Sequence, residues 1–244
     1  MSLSIHVKNL SKSFNSSTVL SDISFNLKAG TSTVILGASG SGKSVLLKCM
    51  SGLLIADKGT SIVVGGHEVG ASHISERPAP ISKIGFSFQL NASFDSLLVW
   101  QDIMFNEFIN EVKTDEELIE SAKTLLKMVE LSPELAFSNS KQSSGGMQKR
   151  IGIARAIATQ STLLMLDEPT SGLDRETSEK ISALIHELHH KMKYTVVSVS
   201  HDMHYTKTVA DNVIIIKDRT IGWSGTLDEC NNSNNEVVEK FFHS

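Results

Sequence analysis

The sequence predicts a mainly parallel α/β fold with a helical insertion, and three observations carry that prediction. Short apolar runs at residues 33–36, 162–166, 195–199 and 212–216 read as strands buried on both faces, the pattern of a sheet covered by helices on each side. A helical pattern over residues 176–190 separates the second and third runs, the β–α–β rhythm of a parallel sheet. Between about 91 and 159 the character changes. Thr114 and Glu117 make a capping box there, and Leu118, Ala122, Leu125 and Val129 then fall on one helical face.

The other elements follow in chain order. Ile5 and Val7, then Ile23, Phe25 and Leu27, alternate with polar neighbours as short, half-buried strands of an antiparallel edge. Val45, Leu46, Leu47 and Met50 suit a helix over 44–54, and residues 61–64 and 83–88 suggest further strands. The 244 residues suit one domain, with a core of about 1–90 and 160–244 and a helical subdomain of about 91–159. No repeat interrupts this plan, and the Asn-rich run 231–235 reads as a surface loop.

Composition narrows the function. Hydrophobic residues make up 40% and charged residues 20%, enough for a packed core. The net charge of −4 opposes a broad basic surface for nucleic acid. Residues 1–10 lack the apolar stretch of a secretory leader, and no apolar run approaches the roughly 18 residues of a membrane span. Work at a membrane would therefore need another chain to cross it. Cys49 and Cys230 match no metal or redox spacing, which suits a reducing cytosol, with one core thiol and one surface thiol expected.

The most specific motif is Gly37, Ala38, Ser39, Gly40, Ser41, Gly42, Lys43, Ser44, which satisfies G-x-x-x-x-G-K-[ST] directly after a buried strand and before a helix. Glycines let successive backbone N–H groups converge on a phosphate, and the helix N-terminus adds further donors and a positive dipole end. Lys43 would neutralise β- and γ-phosphate charge, and the Ser44 hydroxyl would ligate Mg²⁺. The dinucleotide fingerprint fails, because its third glycine would fall on Val45. The fold expected is thus a P-loop NTPase with a RecA-like parallel core, and the ligands are ATP and Mg²⁺.

A second constellation lies where the run 163–166 ends in Asp167 and Glu168. At the carboxyl end of a parallel strand both reach the ligand crevice. Asp167 would hold Mg²⁺, and Glu168 would orient and polarise the attacking water. His201, after the strand 195–199, sits at the same sheet edge and would donate to the γ-phosphate.

With Ser144, Gly145, Gly146, Met147 and Gln148 added, the motifs resemble the ATP-binding cassettes of ABC transporters in order and along nearly the whole chain. That quintet is similar to the family's L-S-G-G-Q signature, with Ser143 where Leu is usual and Met147 where Gln is usual. The resemblance implies roles for further residues. Phe14 would stack on adenine, Gln89 would sense Mg²⁺ and the attacking water as the Q-loop glutamine, and Asp174 would lie in the D-loop 171–174. It also implies a homodimer in which Ser144, Gly145 and Gly146 of one copy close the ATP site of the other. An integral-membrane permease would meet the helical subdomain, and the location would be peripheral, on the cytoplasmic face of a bacterial inner membrane. The signature variant and the compact ending are similar to Mla-type phospholipid cassettes, which implies a partner with a mammalian-cell-entry (MCE) domain and a role in outer-membrane lipid asymmetry. The alternatives are a small-solute importer of osmolyte or amino-acid type, and a soluble ATPase of iron–sulfur assembly. No residue of a cassette of this kind touches cargo.

Two further features complete the reading. Residues 186–190 spell H-E-x-x-H, but Ile181, Leu184, Ile185 and Leu188 form the apolar stripe, so His186 and His190 face solvent and zinc proteolysis is rejected. Val237, Val238, Phe241 and Phe242 form an apolar helical face, either a clasp across a dimer or a cap on the chain's own core.

Overall fold

The computed structural model describes residues 2–69, 84–88, 96–111 and 113–242, so Gln89 and the start of the helical insertion near residue 91 lie outside the described residues. Strands β1 (Ile5–Phe14) and β2 (Ser17–Leu27) form an antiparallel hairpin rather than the two short strands expected. Its turn residues Asn15 and Ser16 have φ of 45° and 69°, as a two-residue type I′ turn needs. Register shifts between Val7 and Leu10, with Asn9 and Asp22 at positive φ, let pairing continue where simple alternation fails. Strands β4 (Ser61–Val64) and β5 (His67–Glu68) extend this sheet in the order β2-β1-β4-β5.

The central sheet contains β3 (Ser32–Gly37), β6 (Gly85–Ser87), β7 (Leu163–Asp167), β8 (Thr195–Val199), β9 (Asn212–Lys217) and β10 (Thr220–Thr226). Its order is β10-β9-β3-β8-β7-β6, parallel throughout except for β10 against β9. Strand alternation sorts the apolar residues into two cores. Val34, Leu36, Leu164, Leu166, Val196, Val213 and Ile215 pack with the helices of the insertion and of the C-terminal part of the chain, while Ile35, Leu163, Met165, Val197, Val199, Ile214 and Ile216 face α1 (Lys43–Ser51) and the antiparallel sheet. Strand β10 escaped the sequence reading because it is a solvent-facing edge with few apolar residues.

The described part of the insertion is helical: α2 (Val99–Ile103), α3 (Phe105–Ile109), α4 (Asp115–Met128) and α5 (Gly145–Ala158), with one-turn 3₁₀ segments between α4 and α5. Thr114 and Glu117 form the expected capping box on α4. A buried ion pair ties this layer together: Arg155 Nη1 on α5 lies 2.8 Å from Asp102 Oδ1 on α2, and the Ser140 hydroxyl donates to Asp102 Oδ2 at 3.0 Å.

Helices α6 (Arg175–Met192), α7 (Met203–Val209), α8 (Leu227–Asn231) and α9 (Glu236–Phe242) complete the chain. Within α9, Val238 and Phe242 are buried in the chain's own core, with Val237 and Phe241 packed against it. The cap therefore accounts for this face, and a free dimer clasp is not left over. Cys230 corrects a second expectation: it is as buried as Cys49, and burial pushes both thiols up to about 11.

Candidate active site

The loop 37–42 leaves β3 and turns directly into α1. Gly42 has φ of +93°, and a Cβ there would meet Leu20 Cδ2 at 2.8 Å, so backbone and packing both demand glycine. The loop lines a cavity of about 650 Å³ together with Val19, Ser44, Glu168, His201 and Phe241.

Lys43 Nζ donates to the Gly37 carbonyl at 2.9 Å and the Ala38 carbonyl at 3.0 Å, which holds the ammonium against the curl of the loop. Burial pushes its pKa down, and the negative charges of Glu168 and Asp167 work against that shift. Ser41 Oγ is buried with no hydrogen-bond partner among the described residues, a polar group aimed at something the chain does not supply. The Ser44 hydroxyl donates to Asp167 Oδ1 at 2.8 Å. Burial raises the Asp167 pKa, opposed by the Ser44 hydrogen bond and by Lys48. Two hard oxygens beside a phosphate-shaped loop fit Mg²⁺, which takes oxygen ligands and substrate phosphates.

Glu168 sits just past β7 with φ of +53°, in a left-handed conformation unusual for a non-glycine residue. Its N–H is fixed to the Val199 carbonyl at 2.9 Å. The carboxylate is nearly buried, and His201 Nδ1 lies 2.9 Å from Oε2 in an ion-pair contact without hydrogen-bond alignment. The structure thus brings together Gly37, Ala38, Ser39, Gly40, Ser41, Gly42, Lys43, Ser44, Asp167, Glu168 and His201.

The remaining candidates among the described residues stand apart from this cavity. Phe14 is 43% exposed at the end of β1 with Lys12 Nζ 5.1 Å from its ring, and it does not line the cavity. Asp174 caps α6, accepting from Thr177 N at 2.9 Å and from the Thr177 hydroxyl at 2.8 Å. Ser144 caps α5, and neither it nor Gly145 or Gly146 lines the cavity. Ser144 and Gly145 face solvent, and a Cβ on Gly145 would meet nothing, whereas one on Gly146 would press Leu173 Cδ2 at 3.2 Å. The signature thus presents an open surface from the same chain that holds the phosphate loop. Ser143, where the family has Leu, is buried with its Oγ unpartnered among the described residues.

Lys149 is the residue that sequence reasoning missed. Its buried ammonium reaches from α5 to the Glu168 carbonyl at 3.0 Å and to the Ser171 carbonyl. Burial lowers its pKa, opposed by Glu168 and Asp167. Lys149→Met should leave two carbonyls without their donor, at a cost of about 1–3 kcal/mol, and loosen the backbone that aims Glu168. We expect kcat to fall while KM for ATP changes little, with Lys149→Arg partly restoring it; unchanged steady-state kinetics in Lys149→Met would dismiss this role.

A family model described as ABC transporter matches residues 20–171. The chain is 33% identical over 230 residues to a sulfate/thiosulfate import ATP-binding protein of Shewanella oneidensis, covering 93% of this chain and 63% of that protein. It is 33% identical over 243 residues to the corresponding protein of Pseudomonas syringae pv. tomato, covering 98% and 72%. The chain therefore spans a little under two thirds of the length of the first of these relatives. Among solved structures it is similar to a dimeric post-hydrolysis state of an ATP-binding cassette bound to ADP and Pi, with a TM-score of 0.84 and 28% identity over 91% of this chain and 98% of that one.

Proposed function

Since this chain belongs to the ABC transporter family, we propose that it is the ATP-hydrolysing subunit of an importer of small solutes, with inorganic anions of the sulfate type as the first cargo to test. The observation that carries the ATPase reading is the convergence of the loop 37–44, Asp167, Glu168 and His201 on one cavity. ATP is the substrate. Its phosphates sit on the N–H groups of the loop, with Lys43 turning from the Gly37 and Ala38 carbonyls to the β- and γ-oxygens. Ser44 and Asp167 would hold Mg²⁺, which would supply positive charge against the triphosphate. Glu168 orients the attacking water, and His201, 2.9 Å from it, is placed to donate to the γ-phosphate.

The second half of each site comes from a second copy. Ser144, Gly145 and Gly146 face outward from their own cavity and would close the partner's, giving two sites in an isologous dimer. The dimeric cassette among the similar structures supports this arrangement. A cleft of about 410 Å³, lined by Phe86, Phe88, Phe105 and Arg155 where the insertion meets β6, is the seat we assign to a permease. No helix among the described residues is long and apolar enough to cross a membrane. In the proposed assembly the permease supplies the pathway and the cassette works peripherally at its cytoplasmic face.

Cargo rests on likeness alone. The relatives are sulfate and thiosulfate importers by name, which favours the small-solute reading over the phospholipid one and gives no support to an MCE-domain partner. The Met147 signature variant was too small a feature to decide between branches. The test is to purify the chain with its membrane partner and measure ATPase activity in proteoliposomes. Stimulation by sulfate or another small solute with its binding protein supports the proposal. Stimulation only by phospholipid acceptors would return the lipid reading.

A further inference from the structure

We propose that His189, His190 and Asp211 form a binding site for a divalent transition-metal ion of the zinc or nickel class, at the edge of the central sheet opposite the nucleotide cavity. One potential ligand atom from each of the three lies within 4.8 Å of the others. The surrounding hydrogen bonds are those a metal site requires. His189 Nδ1 faces the Tyr194 carbonyl at 3.1 Å, an acceptor only, so the proton resides on Nδ1 and Nε2 is the ligating nitrogen. Nε2 in turn lies 2.9 Å from Asp211 Oδ2. That same carboxylate oxygen accepts the Ser32 N–H at 2.9 Å, which anchors it from behind.

Access and shape also fit. His189 is almost fully buried, the Asp211 side chain is 37% exposed, and His190 is exposed, so an ion enters from solvent and finds a partly enclosed seat. The rings of His189 and His190 are 4.6 Å apart between centroids. Two imidazoles and one carboxylate with an open position suit zinc or nickel better than magnesium or calcium.

The H-E-x-x-H pair is a different arrangement, because it would use exposed His186 with His190 and leave His189 and Asp211 aside. Helix α6 runs from Asp174 near the nucleotide edge to His189 at the far edge, so an ion here would pin its last turn to the beginnings of β3 and β9.

The chain, stripped with chelator and titrated calorimetrically with Zn²⁺ alone, should bind one equivalent per chain. Asp211→Asn, which keeps the acceptor for Ser32, and His190→Ala should each weaken binding at least ~10-fold, with ATPase activity unchanged. Saturating Zn²⁺ should raise the thermal midpoint of the unmodified chain by roughly 5 °C and that of Asp211→Asn hardly at all. Two results would overturn the proposal. One is no stoichiometric binding by the unmodified chain. The other is binding that survives Asp211→Asn but disappears in His186→Ala, which would place the ion on the exposed pair.

Discussion

Glu168→Gln should reduce ATP turnover by roughly 10²–10⁴-fold, the range a positioned general base supplies, while nucleotide affinity stays near that of the unmodified protein. The amide keeps the volume and one acceptor of the carboxylate, so the left-handed backbone at φ of +53° and the N–H bond to Val199 are undisturbed. What is lost is the negative charge that polarises water, on a side chain that is nearly buried. Single-turnover kinetics with Mg²⁺ and ATP, paired with equilibrium nucleotide binding, separate the two quantities. Turnover within a few-fold of normal would move the catalytic role elsewhere.

Asp102→Ala should destabilise the chain by about 3–5 kcal/mol, because it removes a close opposite charge from a guanidinium held largely out of water. Asp102 is fully buried between α2 and α5, accepting from Ser140 and facing Arg155 at 2.8 Å. For a chain of this size the thermal midpoint should fall by roughly 10 °C. Asp102→Asn should cost less, since one amide oxygen still accepts. Helix α5 begins at the signature, so weakening its grip on α2 should also blunt the response to a permease. A midpoint within a degree or two of normal for Asp102→Ala would show that this pair is dispensable.

The parallel sheet was legible because burial on both faces leaves an unbroken apolar run, and the runs at 33–36, 162–166, 195–199 and 212–216 correspond to β3, β7, β8 and β9, with β7 beginning one residue later, at Leu163. The edges were less legible. Strand β10 exposes alternate residues, and α7 depends on the cap that Asp202 makes to His204 and Tyr205 rather than on periodicity. The phosphate loop and the Asp167-Glu168 pair could be placed because loop and strand tip are fixed by local sequence. Lys149 could not, because its meaning is a contact across 19 residues to a backbone carbonyl, which leaves no trace in spacing. The burial of Cys230 and of the α9 face depended on where the chain's end packs, which periodicity alone left open.

The outward-facing signature implies an ATP site shared by two copies, and sedimentation of Glu168→Gln measures it most directly. With Mg²⁺ and ATP present, this variant should sediment as a dimer carrying two nucleotides, and Gly145→Glu added on top should return it to monomer by filling the open space at Gly145 with bulk and charge against the partner's phosphate. A Glu168→Gln chain that binds ATP yet remains monomeric at every attainable concentration would contradict it.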